Sequence, residues 1–497
     1  MQQIGFDNEK YLKTQSEHIR DRIDAFGGKL YMEFGGKLFD DYHASRVLPG
    51  FQPDSKIRML RELRDQCEII IAIHAGDIEK NKVRGDLGIT YDMDLLRLAD
   101  EFRANGLMVG SVVLTRFAGQ PSAVAYQKKL ESLGIRVYRH YAILGYPSDI
   151  PLIVSDEGFG RNDYIETSRP LVVVTAPGPG SGKMATCLSQ LYHEHRRGVR
   201  AGYAKFETFP VWNLPLNHPV NLAYEAATAD LDDINEIDPF HLEAYDTTAV
   251  NYNRDIAVFP VLNAMLERIQ GTSPYRSPTD MGVNMVGNCI CDDSVCRAAA
   301  NQEIIRRFYA ALCERRKGDA GDGPVLKIEL LMKKAGISVQ DRPVAEAACR
   351  RAAETGAPAA AMQMEDGRIL TGKTSPLLGA SSALLLNALK YLAGIDDAVE
   401  LLSPEIIAPI QELKVRRLGG HSSLLHLNEI LIALSIAAVT DDNARRAMDQ
   451  LDSLRGLEAH SSVILSQIDS SVFRKLGVNL TCEPHYESKK LYHRTGF

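Results

Sequence analysis

Through the first two hundred residues, short continuous apolar runs alternate with stretches whose apolar positions recur every three or four residues. The runs Leu30–Phe34, Glu68–Ile73, Met108–Leu114, Ile135–Ile143, Leu171–Val174 and Gly202–Phe206 read as buried strands. Ile57–Gln66, Met93–Ala104 and Ser122–Leu133 carry the helical period between them. Helices alternating with strands of this kind predict a mostly parallel sheet covered on both faces, an α/β fold. In such sheets ligands bind beyond the carboxyl ends of the strands.

The pattern then changes. Phe209–Pro219 is irregular and rich in proline, and residues 220–318 read as helical. The predicted helices are Val220–Leu231, one opened by the Asp238-Pro239 pair, Asp255–Ile269 with a kink at Pro260, and Cys296–Arg316. A Gly/Asp linker, Lys317–Pro324, precedes an Ala/Leu-rich region. There a helix at Pro343–Thr355 leads to the strand Ala359–Met364, a turn at Glu365–Gly367, the strand Arg368–Leu370 and the helix Ser381–Ala393. Three domains are expected: a P-loop-like α/β domain over 1–219, a helical bundle over 220–323, and a C-terminal α/β domain over 324–497. The last resembles the core of the cytidine-deaminase-like fold in the order of its elements alone. Zinc deaminases need H-x-E or C-x-E at the helix start, where this chain has Ser381, Ser382 and Ala383. Zinc-dependent deamination is therefore excluded, and no structural zinc is expected.

Composition narrows the function classes. The net charge is −7 over 497 residues with no long basic run, which argues against nucleic acid or an anionic membrane as partner. No apolar stretch approaches the ~20 residues of a membrane span. The opening MQQIGFDNEKYLK has no apolar signal core, and eight cysteines in a chain this long read as reduced thiols, so a cytoplasmic location is expected. Cys289, Cys291 and Cys296 form C-x-C-x₄-C without an adjacent fourth ligand, and read as ordinary thiols. A homo-oligomer is compatible with all of this.

The densest chemistry lies in LVVVTAPGPGSGKMATCLSQLYHEHRR, from Leu171 to Arg197. A buried strand runs into Gly178, Gly180, Ser181, Gly182 and Lys183, and a helix follows. Glycines let backbone N–H groups converge, the helix terminus adds positive charge, and a lysine reaches a terminal phosphate. The segment resembles the P-loop of nucleotide-hydrolysing and nucleotide-transferring enzymes. It departs from that pattern at Pro177, where the first glycine belongs, and at Met184, where a Ser or Thr normally holds magnesium. Asp77 and Glu207, at the ends of other strands, are candidates to hold that ion instead. The expected ligand is a nucleotide or other phosphorylated small molecule, such as ATP or GTP with magnesium, with Lys183, Glu207 and Asp77 as catalytic candidates. Thr115-Arg116-Phe117 and the loop holding Asp156, Glu157, Arg161 and Asp163 fall at the same sheet edge.

A second group of reactive residues lies toward the C-terminus. His426 and Glu429 are i, i+3 on the predicted helix Leu424–Ala438, with His421 nearby, and His460 and Cys482 follow. An imidazole, a thiol and carboxylates permit metal or thiol chemistry in principle. Three functions therefore stay open: a phosphoryl-transfer or phosphoanhydride-driven enzyme, a non-catalytic nucleotide or metabolite sensor, and a metal- or thiol-dependent hydrolase. A cleft completed over Lys183 by His426 or His460 is a further expectation.

Three long phrases carry a family resemblance. They are the opening EHIRDRIDAFGGKLYMEFGGKLFDDYHASRVLPGF, the glycine segment, and the ending GLEAHSSVILSQIDSSVFRKLGVNLTCEPHYESKKLYH. Together they resemble the bacterial uncharacterised protein family numbered 0371 over essentially the full length. The resemblance implies a cytoplasmic bacterial protein with a P-loop-like N-terminal part and a distinct C-terminal part. It brings no activity with it.

Overall fold

The apolar runs of the N-terminal half become the strands of one seven-stranded, wholly parallel sheet. The computed structural model describes residues 3–84, 87–420 and 422–487. Its sheet strands are β1 (Leu30–Phe34), β2 (Cys67–His74), β3 (Met108–Phe117), β4 (Arg136–Tyr141), β5 (Leu171–Thr175), β6 (Gly202–Phe206) and β7 (Gly282–Val283), in the spatial order β7-β6-β1-β5-β2-β3-β4. Every residue of β5 is buried, as a strand covered on both faces requires.

That order locates a switch point. After β5 the chain moves past β1 to reach β6, whereas after β2 it moves the other way to β3. β5 and β2 are neighbours, so their connections diverge and leave a crevice beyond the carboxyl ends. Helix Lys183–Arg196 follows β5 and buries Cys187, Leu188 and Leu191 in the core with Ile70, Val172 and Val174. Polar anchors hold it in place. Gln190 accepts from Ile165 N at 2.9 Å and donates to Ile165 O at 2.8 Å. Buried Glu194 accepts from the Tyr31 hydroxyl at 2.6 Å and pairs with Lys29 at 2.8 Å.

The chain divides into two compact units. Among the described residues, one holds those of 3–225 and 232–300, including the seven-stranded sheet; the other holds those of 226–231 and 301–487. Much of the region expected as a separate helical bundle thus packs with the sheet. Helix Asn253–Gln270, which runs on through Pro260, contributes Phe259, Leu262, Met265 and Leu266 to the core beneath helix Lys183–Arg196.

The second unit is built on a four-stranded sheet of β8 (Ala359–Gln363), β9 (Ile369–Lys373), β10 (Glu458–Ser461) and β11 (Asn479–Cys482), in the order β9-β8-β10-β11. β8 runs antiparallel to both neighbours, and β10 and β11 are parallel. Alternation along β8 separates two cores. Ala360 and Met362 pack with helix Ala380–Leu392, while Ala361 packs with Val344, Ala347 and Ala348 of helix Pro343–Thr355. No helix among the described residues is long and apolar enough to cross a membrane.

Candidate functional site

The glycine loop has its shape because two positions admit no side chain. Gly182, the N-cap of helix Lys183–Arg196, has φ +86°, and a Cβ there would sit 3.1 Å from the Thr115 side chain. A Cβ on Gly178 would come within 2.4 Å of the Tyr91 hydroxyl. The loop is tied from within and from below. Buried Ser181 donates to Gly178 O at 2.6 Å, and Thr115 donates to Ser181 O at 2.7 Å. Gly182 has no side chain to cap the helix, so the first amides are left to face the loop.

A cavity of about 450 Å³ opens beside these amides. It is lined by Gly180–Thr186 of the loop and helix, Glu33 of β1, Thr115 and Arg116 of β3, and His140 and Tyr141 of β4, with Tyr146, Phe159 and Asn162 among its walls. Arg116 is set there by backbone irregularity. The β3–β4 register shifts between Leu114 and Phe117, and Arg116 takes φ +49°. A bulge of this kind re-aims a side chain at the rim of a sheet. Two cations, Lys183 and Arg116, thus line the cavity with a single carboxylate, Glu33.

The remaining walls are held by hydrogen bonds. Glu33 accepts from the Tyr203 hydroxyl at 2.9 Å. Asn162 accepts from Tyr141 N at 2.8 Å and donates to Ser189 at 3.0 Å. Burial, reinforced by the Glu33 charge, pushes the Tyr146 phenol up to about 12. Burial also lowers the His140 imidazole to about 3, so the ring is neutral at pH 7. Glu33, His140, Tyr141 and Tyr146 carried no signal in the sequence, because each lies inside or just after a strand-like run. Arg116 did fall at an expected strand end.

The other sequence candidates lie in different surroundings. Asp77, in the first turn of helix Ala75–Glu79, pairs with Lys82 at 3.4 Å and does not line the cavity. Glu207 also lies outside the lining; it pairs with Lys205 at 2.8 Å, and Lys205 is shared with Asp255. Burial raises the Glu207 carboxyl against the opposing effect of Lys205. Asp156 pairs with Arg196 at 2.7 Å, and Asp163 accepts from Arg139 N at 2.7 Å. Cys289, Cys291 and Cys296 are free thiols directed at backbone carbonyls.

Lys183 belongs to the sheet unit, and His426, Glu429, His460 and Cys482 to the other. His426 is the N-cap of helix Leu427–Ala437, not a residue within it. Glu429 accepts from His426 N at 2.7 Å and pairs with Lys414 at 2.8 Å. Asp469, from a distant helix, accepts from Leu427 N at 2.8 Å and lies 3.2 Å from His426 Nδ1. These contacts describe a helix start. His421 lies outside the described residues. His460 is fully buried in β10, and Cys482 ends β11, where burial pushes its thiol up to about 11.

Comparison with known proteins covers the same span. The family model described as domain of unknown function DUF1846, N-terminal, matches residues 4–336, and its C-terminal companion matches 340–492. The UPF0371 protein of Corynebacterium efficiens is 59% identical over 491 residues, 99% of each chain. Those of Corynebacterium urealyticum and Streptococcus pyogenes serotype M1 are 58% identical over 492 and 494 residues. Both family models and these full-length relatives agree with the resemblance carried by the opening, the glycine segment and the ending: the chain belongs to the DUF1846 family, whose curated bacterial members carry the name UPF0371.

Proposed function

We propose that the protein binds a nucleotide or another phosphorylated small molecule in the cavity beside the glycine loop, and acts on its phosphoanhydride. The observation that carries this is the meeting of Lys183, Arg116 and uncapped helix amides around one cavity of about 450 Å³. That volume is within the ~300–1,000 Å³ range of small-molecule sites. An anion there meets two cations and converging N–H dipoles, as a P-loop-like cradle would provide.

In the proposed chemistry Lys183 and Arg116 take up the charge that develops on the phosphoryl oxygens. Glu33, fixed by Tyr203, is the carboxylate placed to orient a water or a cation. Glu33 is the lining carboxylate that would hold magnesium, together with the ligand's own oxygens. Met184 offers no hydroxyl, and Asp77 and Glu207 are engaged with lysines outside the lining. The same facts favour a second reading, a sensor that binds a nucleotide without turning it over. The deaminase-like order of the C-terminal elements contributes no chemistry to either.

Titration with ATP, GTP and pyrophosphate, with and without magnesium, followed by a phosphate-release assay, separates the readings. Magnesium-dependent release supports the enzyme, and saturable binding without release supports the sensor. Absence of saturable binding defeats both.

A further inference from the structure

In the C-terminal unit, register brings together three metal-ligating side chains that are far apart in sequence. His460 of β10 pairs opposite Ala361 of β8, on the sheet face covered by helix Pro343–Thr355, which carries Cys349. His460 is also in register with Thr481 of β11, two residues before Glu483. Among the described residues, Cys349, His460 and Glu483 are the group of such side chains whose donor atoms all lie within 4.8 Å of one another.

The spacing fits a common centre. His460 Nε2 lies 3.3 Å from Glu483 Oε1, and Cys349 Sγ lies 3.6 Å from the same oxygen. In a tetrahedral site with Zn–S of about 2.3 Å and Zn–N and Zn–O of about 2.0 Å, neighbouring donors fall about 3.3 Å (N to O) and about 3.5 Å (S to O) apart. A charge-assisted N–H···O bond would instead be about 2.7–2.9 Å. His460 has no exposed surface, and its Nε2 is left without a hydrogen-bond partner despite the nearby carboxylate.

The other ring nitrogen is engaged within the sheet. Thr481 Oγ1 accepts from Arg342 Nε at 2.9 Å and lies 3.2 Å from Ala459 O. His460 Nδ1 lies 2.8 Å from Thr481 Oγ1, so Nδ1 has a fixed partner and Nε2 is the ring nitrogen that faces Glu483. Nε2 in turn points at the Glu483 carboxylate, 3.3 Å away. A ligating histidine is ordinarily oriented this way, its second nitrogen donating to a fixed partner.

We infer that Cys349, His460 and Glu483 bind a zinc ion, with its fourth position open to water or a small molecule. Thiolate, imidazole and carboxylate together select zinc over harder cations. Glu483 is 22% exposed and Cys349 half-buried, so the group is reachable from solvent on their side. No local ligand spacing in the sequence marks this site, because its ligands come from three separate segments. The site is independent of the cavity at Lys183 and stands or falls without it.

The test is zinc content and cobalt spectroscopy on the full-length protein. After incubation with zinc sulfate and dialysis against metal-free buffer, one zinc per chain is expected. Cobalt should give a thiolate-to-metal charge-transfer band. Cys349→Ser and Glu483→Gln change part-exposed side chains, leave buried His460 in place, and should lower affinity at least about tenfold. Unchanged circular dichroism would show that these variants fold. The inference is overturned if the wild type retains no zinc, or if zinc and the cobalt band persist unaltered in Cys349→Ser.

Discussion

The Thr115 hydroxyl donates to the carbonyl of Ser181 at 2.7 Å, fastening the end of β3 to the middle of the glycine loop. The same side chain lies 3.1 Å from the place where a Cβ on Gly182 would stand. One threonine thus holds the loop from below and leaves no room above it. Gly182→Ala should destabilise the sheet unit by about 1–3 kcal/mol, from left-handed strain and the contact together. Trp212, the single tryptophan, belongs to that unit, so its fluorescence in a urea titration reports the change. An unaltered midpoint would mean that the loop adopts another path.

A pH dependence follows from His140. Its imidazole is lowered from 6.5 to about 3 by burial, so between those values the unfolded chain binds the proton that the folded chain refuses. Stability from this group is therefore fully present above about pH 6.5. It falls as the pH drops toward 3, by at most about 1.4 kcal/mol per pH unit. Urea titrations at pH 7, 6 and 5 should show a shallower loss for His140→Gln than for the wild type. Equal slopes would indicate that His140 is solvated.

In the second unit, Arg342 is 1% exposed and donates to Thr481, Glu458, Gln302, Ala459 O and Asn479 O. A lysine has three donors on a point charge and cannot serve this fork. Arg342→Lys should cost about 2–4 kcal/mol, chiefly by leaving buried acceptors unpaired. Hydrogen exchange at β10 and β11 should accelerate accordingly. Exchange no faster than in the wild type would show that the network is dispensable.

The strands were legible because burial on both faces writes itself as continuous apolar runs. Leu30–Phe34 and Gly202–Phe206 form as expected, and the glycine loop joins strand to helix where its residues indicate. Strand order was not legible, since nothing local in β1 says that it lies between β5 and β6. For the same reason the sequence could not place Glu33 across from Lys183, or Cys349 beside His460. His426 and Glu429 misdirect for a different reason. Their spacing matches a ligand pair, but Asp469, from a distant helix, makes the position a cap.

Lys183 and Arg116 offer a finer division of the anion site. Lys183 sits at the helix start, and Arg116 reaches the cavity from a bulge on another strand. If both contact the ligand, each single alanine variant should weaken pyrophosphate binding about tenfold or more, with no change in thermal midpoint. Loss confined to Arg116→Ala would place the ligand away from the loop.

The central claim is that the glycine loop holds a phosphorylated ligand. Isothermal titration of wild-type protein and Lys183→Ala with ATP, matched for circular dichroism, tests it most directly. The account predicts saturable binding by the wild type and a loss of about 1.5–3 kcal/mol in the variant, the worth of a charge-assisted hydrogen bond. Equal affinity in the two proteins, or no saturable binding in the wild type, would contradict it.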